Sequence, residues 1–174
     1  MNDSPETLRW LQEIIDRSAA TAGPAIKRNF IGGGWSMTAE EFVAFWDAQP
    51  MASISTVSTE ANVHVAPLEP KLIDGKFYIP TFPNSQRLRD HRAEPRCAIA
   101  SWDGPYQAVI VYGTVREVDG DPTNRTSETG AEQGYVPGAM MTIEVTPTRI
   151  YNIRPPKGHP AHERPEGGGS ERSR

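Results

Sequence analysis

The strongest restriction on this chain's fold is a set of β-rich segments joined by links too short for anything but hairpins. From Met51 to Thr81 it reads MASISTVS, TEAN, VHVAPLEPKLI, Asp74-Gly75 and KFYIPT. Alternating apolar and polar residues mark strands with one face on a core, and Asp-Gly supplies the positive φ angles of a two-residue turn. A parallel crossover needs a dozen or more residues, so these strands run antiparallel. The pattern resumes in CAIASW, a turn at residues 103–105, and the long β-branched run YQAVIVYGTVREV. After a polar loop from Asp119 to Tyr135 it ends in AMMTIEVTP and RIYNI. Six strands, one short helix among them and helices ahead of them predict a mainly β fold with helices: an antiparallel six-stranded split β-barrel.

Two helices precede the strands. Pro5 to about Ala20 places Leu8, Leu11 and Ile15 on one stripe, and Gly23-Pro24 ends it. Thr38-x-x-Glu41 is a capping box, and Phe42, Phe45 and Trp46 form the apolar stripe of the helix it opens, with Pro50 beyond its end. The IGGGWS run between them lacks the Gly-Lys-Ser/Thr ending of a phosphate loop and reads as a linker. Residues 154–174 hold no aliphatic side chain larger than alanine, which predicts a disordered tail. The expected organisation is thus a helical extension and linker (1–37), a barrel domain (38–153) and the tail (154–174).

Composition removes several function classes. A net charge of −4 and a pI near 5.6 argue against a nucleic-acid surface. Cys97 is the single cysteine, so a disulfide, a zinc knuckle and a redox pair are out. No apolar run reaches membrane-span length and no signal-peptide pattern opens the chain; a cytoplasmic protein without membrane or nucleic-acid partners is expected. Neither Gly-x-Ser-x-Gly nor HExxH occurs. His159-x-x-His162 lacks further ligands at fixed spacing, so no metal site is expected. The Asn124-Arg125-Thr126 sequon has no role without secretion.

One stretch stands out: PNSQRLRDHR, residues 83–92, three arginines and a histidine in an acidic protein. Ser85 follows a strand and suits a helix N-cap, where free backbone N–H groups together with Arg87 and Arg89 would receive phosphate oxygens. The other reading is a wet surface on which Asp90 and Glu94 balance the arginines. The strand-to-helix context favours phosphate.

The run VSTEANVHVAPLEPKLIDGKFYIPTFPNSQRLRDHRAEPRCAIA, followed by a strand carrying Gly113, resembles the flavin-binding split barrel of the pyridoxamine 5′-phosphate oxidase family. The family's order is a strand with an xVxP-like segment, an aromatic strand, a Ser-x-Lys helix start and a Pro-Arg strand. Here these read His64-Val65-Ala66-Pro67, Phe77-Tyr78-Ile79, Ser85-Gln86-Arg87 and Pro95-Arg96, over roughly residues 38–153. The resemblance implies a homodimer holding FMN, or in related branches a deazaflavin, at the subunit interface. Ser85, Gln86 and Arg87 would take the cofactor phosphate, with Arg89 as second cation. Pro67, Leu68 and Glu69, with Ile79 and Thr81, would line the ring, and Gln107 falls within one residue of a ring contact.

Arg87 replaces the family's lysine and keeps its charge. Glu69 stands where many relatives carry an apolar or aromatic residue. Strand alternation turns it to solvent; facing inward, it would disfavour an anionic reduced flavin or serve as an acid toward substrate. The family's C-terminal active-site segment is not recovered, so pyridoxamine oxidation itself is not expected. The resemblance implies hydride transfer to or from a small organic substrate, with no catalytic residue assignable. The alternative is a non-catalytic FMN- or haem-binding module, for which His64 is the axial candidate.

Overall fold

The computed structural model describes residues 3–31, 35–49, 51–104, 106–120, 122–123, 140–156 and 158–159. Outside them lie Pro50, the glycine run 32–34, Pro105, most of the 119–135 loop with its sequon, His162 and the tail from residue 160.

Local signals set the helices. α1 (Pro5–Thr21) begins at Ser4, whose Oγ accepts the Thr7 N–H, and buries Leu11, Ile14 and Ile15. A short α2 (Pro24–Ile26) runs into a π-helical turn over Lys27–Ile31. α3 (Ala39–Ala48) opens on the full Thr38/Glu41 capping box and buries Phe42, Phe45 and Trp46. Phe42, Trp46 and Phe77 meet edge to face, with ring centroids 4.8–6.4 Å apart.

α1 is joined to the barrel by buried polar bonds as well as by apolar contact. Ser18 Oγ donates to the Ile14 carbonyl at 2.7 Å and accepts the Ile150 N–H at 3.0 Å. Gln12 Oε1 accepts the Ala39 N–H at 2.9 Å, tying α1 to the first turn of α3. Ser18→Ala strands a buried strand N–H, so a loss of about 1–2 kcal/mol is expected in a urea melt; an unchanged midpoint would show that this bond contributes nothing.

The strands are β1 (Ala52–Val57), β2 (Val63–Leu68), β3 (Lys71–Ile73), β4 (Lys76–Thr81), β5 (Arg96–Asp103), β6 (Gln107–Val118) and β7 (Met141–Ile153); α4 (Gln86–Ala93) lies between β4 and β5. They form one antiparallel sheet in the order β2-β1-β5-β6-β7-β4-β3. The expected count of six is corrected to seven. VHVAPLEPKLI divides at Glu69-Pro70, where proline has no N–H to give a ladder. AMMTIEVTP and RIYNI, already one strand in the count of six, run together as β7, a register shift opposite Tyr112/Gly113 taking up Thr148.

This division curls the sheet. β2 and β3 are its two edges, yet only Glu69 and Pro70 separate them in sequence. Seven flat strands would hold their edges about 29 Å apart, whereas three Cα–Cα steps reach about 11 Å at most. The sheet must roll until its edges approach, and this produces the split barrel. At the bulge, a Cβ on Gly113 would lie 2.6 Å from Val145 Cγ1 and 2.7 Å from the Thr146 carbonyl oxygen. Gly113→Ala is expected to lower stability by about 1–2 kcal/mol, since backbone cannot easily yield; a thermal melt reads this directly.

The start of the segment expected as tail is placed: the Arg154 N–H donates to the Trp35 carbonyl at 2.6 Å, and His159 stacks edge-on against Trp35 at 5.1 Å.

Candidate functional site

β4 ends at Thr81, and a turn through Phe82–Asn84 delivers Ser85 as the N-cap of α4. Ser85 Oγ accepts the Leu88 N–H at 3.2 Å and lies 3.0 Å from Thr81 Oγ1. Leu88 anchors α4 in the core at full burial. The start of α4 then faces β1 and β2 across a cleft of about 230 Å³, lined by Ile54, Thr56, His64, Val65, Ala66, Ser85, Gln86 and Arg87.

Arg87 sets the cleft's electrostatics. Its Nε and Nη1 are buried and have no hydrogen-bond partner among the described residues. Burial alone pulls its pKa below the usual arginine value, and no carboxylate compensates. The other arginines of the stretch are spoken for. Arg89 donates to the Asn84 carbonyl at 2.7 Å and to Gln86 Oε1 at 2.6 Å. Arg92 forks onto Glu117 at 2.7 and 2.9 Å, and Arg96 onto Glu94 at 2.8 and 2.7 Å.

Asp90 is not the surface counter-ion that one reading allowed: it is 1% exposed. Its Oδ2 accepts from Thr56 Oγ1 at 2.6 Å and lies 2.8 Å from His64 Nδ1, while Oδ1 accepts from Gln86 Nε2 at 2.8 Å. Burial pushes its pKa up, but the bonds from Thr56, Gln86 and His64 outweigh that and hold it below the usual carboxylate value. His91, one turn past Arg87, is buried with both ring nitrogens unpartnered among the described residues. Burial and the Arg87 charge, against Asp90, push it down to about 4.

Of the residues expected at a cofactor, Ser85, Gln86 and Arg87 share the cleft, and Thr81 touches it through Ser85. Ile79 is buried in the core behind it. Pro67 and Leu68 continue β2 past the cleft, and Glu69 is exposed in the link between β2 and β3. Gln107 lies in a second cleft of about 210 Å³ with Glu41, Asp103 and Arg154. Trp102 and Tyr106 are exposed. Thr56, His64 and Asp90 were missed as a unit; the one sequence signal was Thr56 itself, a polar residue in the inward stripe Ala52, Ile54, Thr56.

Among the described residues no cluster of His, Cys, Asp and Glu is arranged to hold a metal, and no helix is long and apolar enough to cross a membrane. A curled antiparallel sheet whose strand-to-helix corner presents a buried guanidinium to a cleft defines a split barrel. The family model described as pyridoxamine 5′-phosphate oxidase matches residues 38–154, and the chain belongs to that family. No curated protein matches the sequence.

Solved structures share the architecture at low identity. A putative pyridoxamine 5′-phosphate oxidase from Listeria innocua is 11% identical with a TM-score of 0.57, covering 67% of this chain and 98% of that one. An FAD-binding protein from Mesorhizobium loti is 15% identical with a TM-score of 0.52, covering 67% and 94%. The haem storage protein of Vibrio cholerae is 10% identical with a TM-score of 0.52, covering 66% and 95%. At these identities the likeness is one of fold.

Proposed function

We propose that the chain is a flavin- or deazaflavin-dependent oxidoreductase acting on a small organic substrate, with the phosphorylated end of the cofactor in the α4 cleft. The carrying observation is Arg87, whose two buried nitrogens are unpartnered among the described residues and would be matched by a phosphoryl group. Ser85 shapes the helix start beside it, and Gln86 is braced by Asp90 and Arg89. When bound, such a cofactor supplies the hydride-transfer chemistry, and the protein contributes binding, orientation and exclusion of water.

The cleft is smaller than the roughly 300–1,000 Å³ of a cofactor-sized pocket, so a second protomer completing the site is part of the proposal. Val63 and Val65, 66% and 64% exposed on the edge strand β2, support such an interface, as do the exposed Trp102 and Tyr106. A cytoplasmic setting belongs to the same reading, supported by the lone buried thiol of Cys97, which burial pushes up to about 12.

A second reading, a haem-binding module, is favoured by one observation. His64 is held at Nδ1 by a buried carboxylate, the support that metal-ligating histidines use. The absorption spectrum of the purified protein, before and after addition of FMN, deazaflavin or haem, separates these readings. Uptake of a flavin-type chromophore that bleaches with reductant and recovers with an organic acceptor supports the oxidoreductase; uptake of haem alone, or of none, refutes it.

A further inference from the structure

The second cleft, of about 210 Å³, differs in kind from the first. Ser55, next to Thr56 of the α4 cleft, pairs with Ala98 on β5, whereas Asp103 closes the far end of that strand, about 17 Å further along it. The two clefts are therefore separate places on one protomer. The floor of the second is apolar: Met37 leads into α3, and Ala44, Phe45 and Ala48 come from α3 itself.

Its polar wall comes from the end of β7. After the register shift, Ile150 and Asn152 are the buried positions of that strand, and the next on their side is Arg154. Asn152 Oδ1 accepts the Met37 N–H at 2.7 Å, which turns Nδ2 away as a donor, and Nδ2 is buried with no partner among the described residues. Arg154 Nε is buried and likewise unpartnered among them. The Arg154 guanidinium reaches Glu41 Oε1 only at 3.5 Å from Nη1, the limit of a hydrogen bond. Two buried donors on one side of one chain end call for an acceptor such as a carboxylate.

A plain carboxylate does not suit this place. The lining sets one cation, Arg154, against two carboxylates, Glu41 and Asp103, and a simple anion would add to that excess. A ligand that also carries an ammonium group answers both demands. Its carboxylate meets Arg154, its ammonium meets Glu41 and the exposed Asp103, and an apolar side chain lies on Phe45 and Ala48. The cleft volume, below the roughly 300–1,000 Å³ of larger ligands, keeps that molecule small. We propose that this cleft binds a small zwitterion of the α-amino-acid class with an apolar side chain, at a site that does not depend on the cofactor reading above.

The test is calorimetric titration of the full chain at neutral pH with leucine, with N-acetylleucine, which lacks the ammonium, and with isoamylamine, which lacks the carboxylate. Leucine should bind, and each analogue should bind about tenfold more weakly or worse, since each leaves one charged group of the cleft without its partner. Arg154→Met should weaken leucine binding by a similar factor. Asp103→Asn should weaken leucine binding and narrow the gap between leucine and N-acetylleucine, because it removes a repulsion from the acetylated anion. Both variants should melt in urea near the native midpoint, since Asp103 is exposed and the Arg154 bond to Glu41 is a long one. No binding of leucine, leucine binding no tighter than that of the analogues, or full affinity in Arg154→Met overturns the inference. FMN titrated into the same samples reads the cofactor proposal separately, so a failure of either is told from a failure of the other.

Discussion

Arg87→Met will bind FMN on the order of a hundredfold more weakly than the native chain, while the cofactor-free protein melts at the same temperature or higher. The two effects have one cause. Burial holds the Arg87 guanidinium below its usual pKa, and two of its nitrogens lack partners, so the empty cleft carries an uncompensated desolvation cost. Methionine fills similar volume without that charge. In the loaded cleft the same nitrogens would make charge-assisted bonds, and losing them removes about 3 kcal/mol of affinity. Arg89→Met should change FMN affinity far less, since its donors are already held by Asn84 and Gln86. Equal losses in the two variants, or an Arg87 variant that binds normally, would remove the basis of the cofactor reading.

Acid will destabilise the protein through one carboxylate above all. Glu144 is 2% exposed, and its oxygens accept the Arg116 fork at 2.7 and 2.8 Å, Tyr78 Oη at 2.9 Å and Lys76 Nζ at 3.2 Å. The Arg116 bonds foremost, with burial opposing and Tyr78 and Lys76 assisting, hold its pKa at about 2 rather than 4.5. Because the folded value is depressed, the stabilisation is complete above about pH 4.5 and is lost as pH falls toward 2. A shift of that size corresponds to about 3 kcal/mol; with Arg116 63% exposed, solvent screening leaves on the order of 2. Glu144→Gln should lower the urea midpoint near neutrality and close the gap to the native protein by about pH 2–3. Parallel acid limbs in the two proteins would show that Glu144 is not the group responsible.

The legible parts of this molecule were those decided within a few residues. The capping box at Thr38, the Asp74-Gly75 turn with φ values of 49° and 78°, and the Ser85 cap all stand where short-range hydrogen bonding requires them. The strand count was misread at one proline and not at another for one reason: a proline breaks a strand or is carried through it according to what lies opposite it. Pro70 met an edge, and Pro147 met Gly113. The cleft was half legible. Ser85 and Arg87 announced themselves by position after a strand, whereas Asp90 looked like any acid among arginines.

The sequence by itself determined that the chain is antiparallel, helix-capped and supplied with cations at one strand-to-helix corner, because hairpin length, capping and charge density are local properties. Only the tertiary structure decided which cation is left over. Arg92 and Arg96 find carboxylates on β6 and beside β5, Arg89 closes on its own turn, and Asp90 is drawn inward by Thr56 and His64. Arg87 is left buried and uncompensated, a result of which faces the rolled sheet brings together, and the function proposed for the chain rests on that residue.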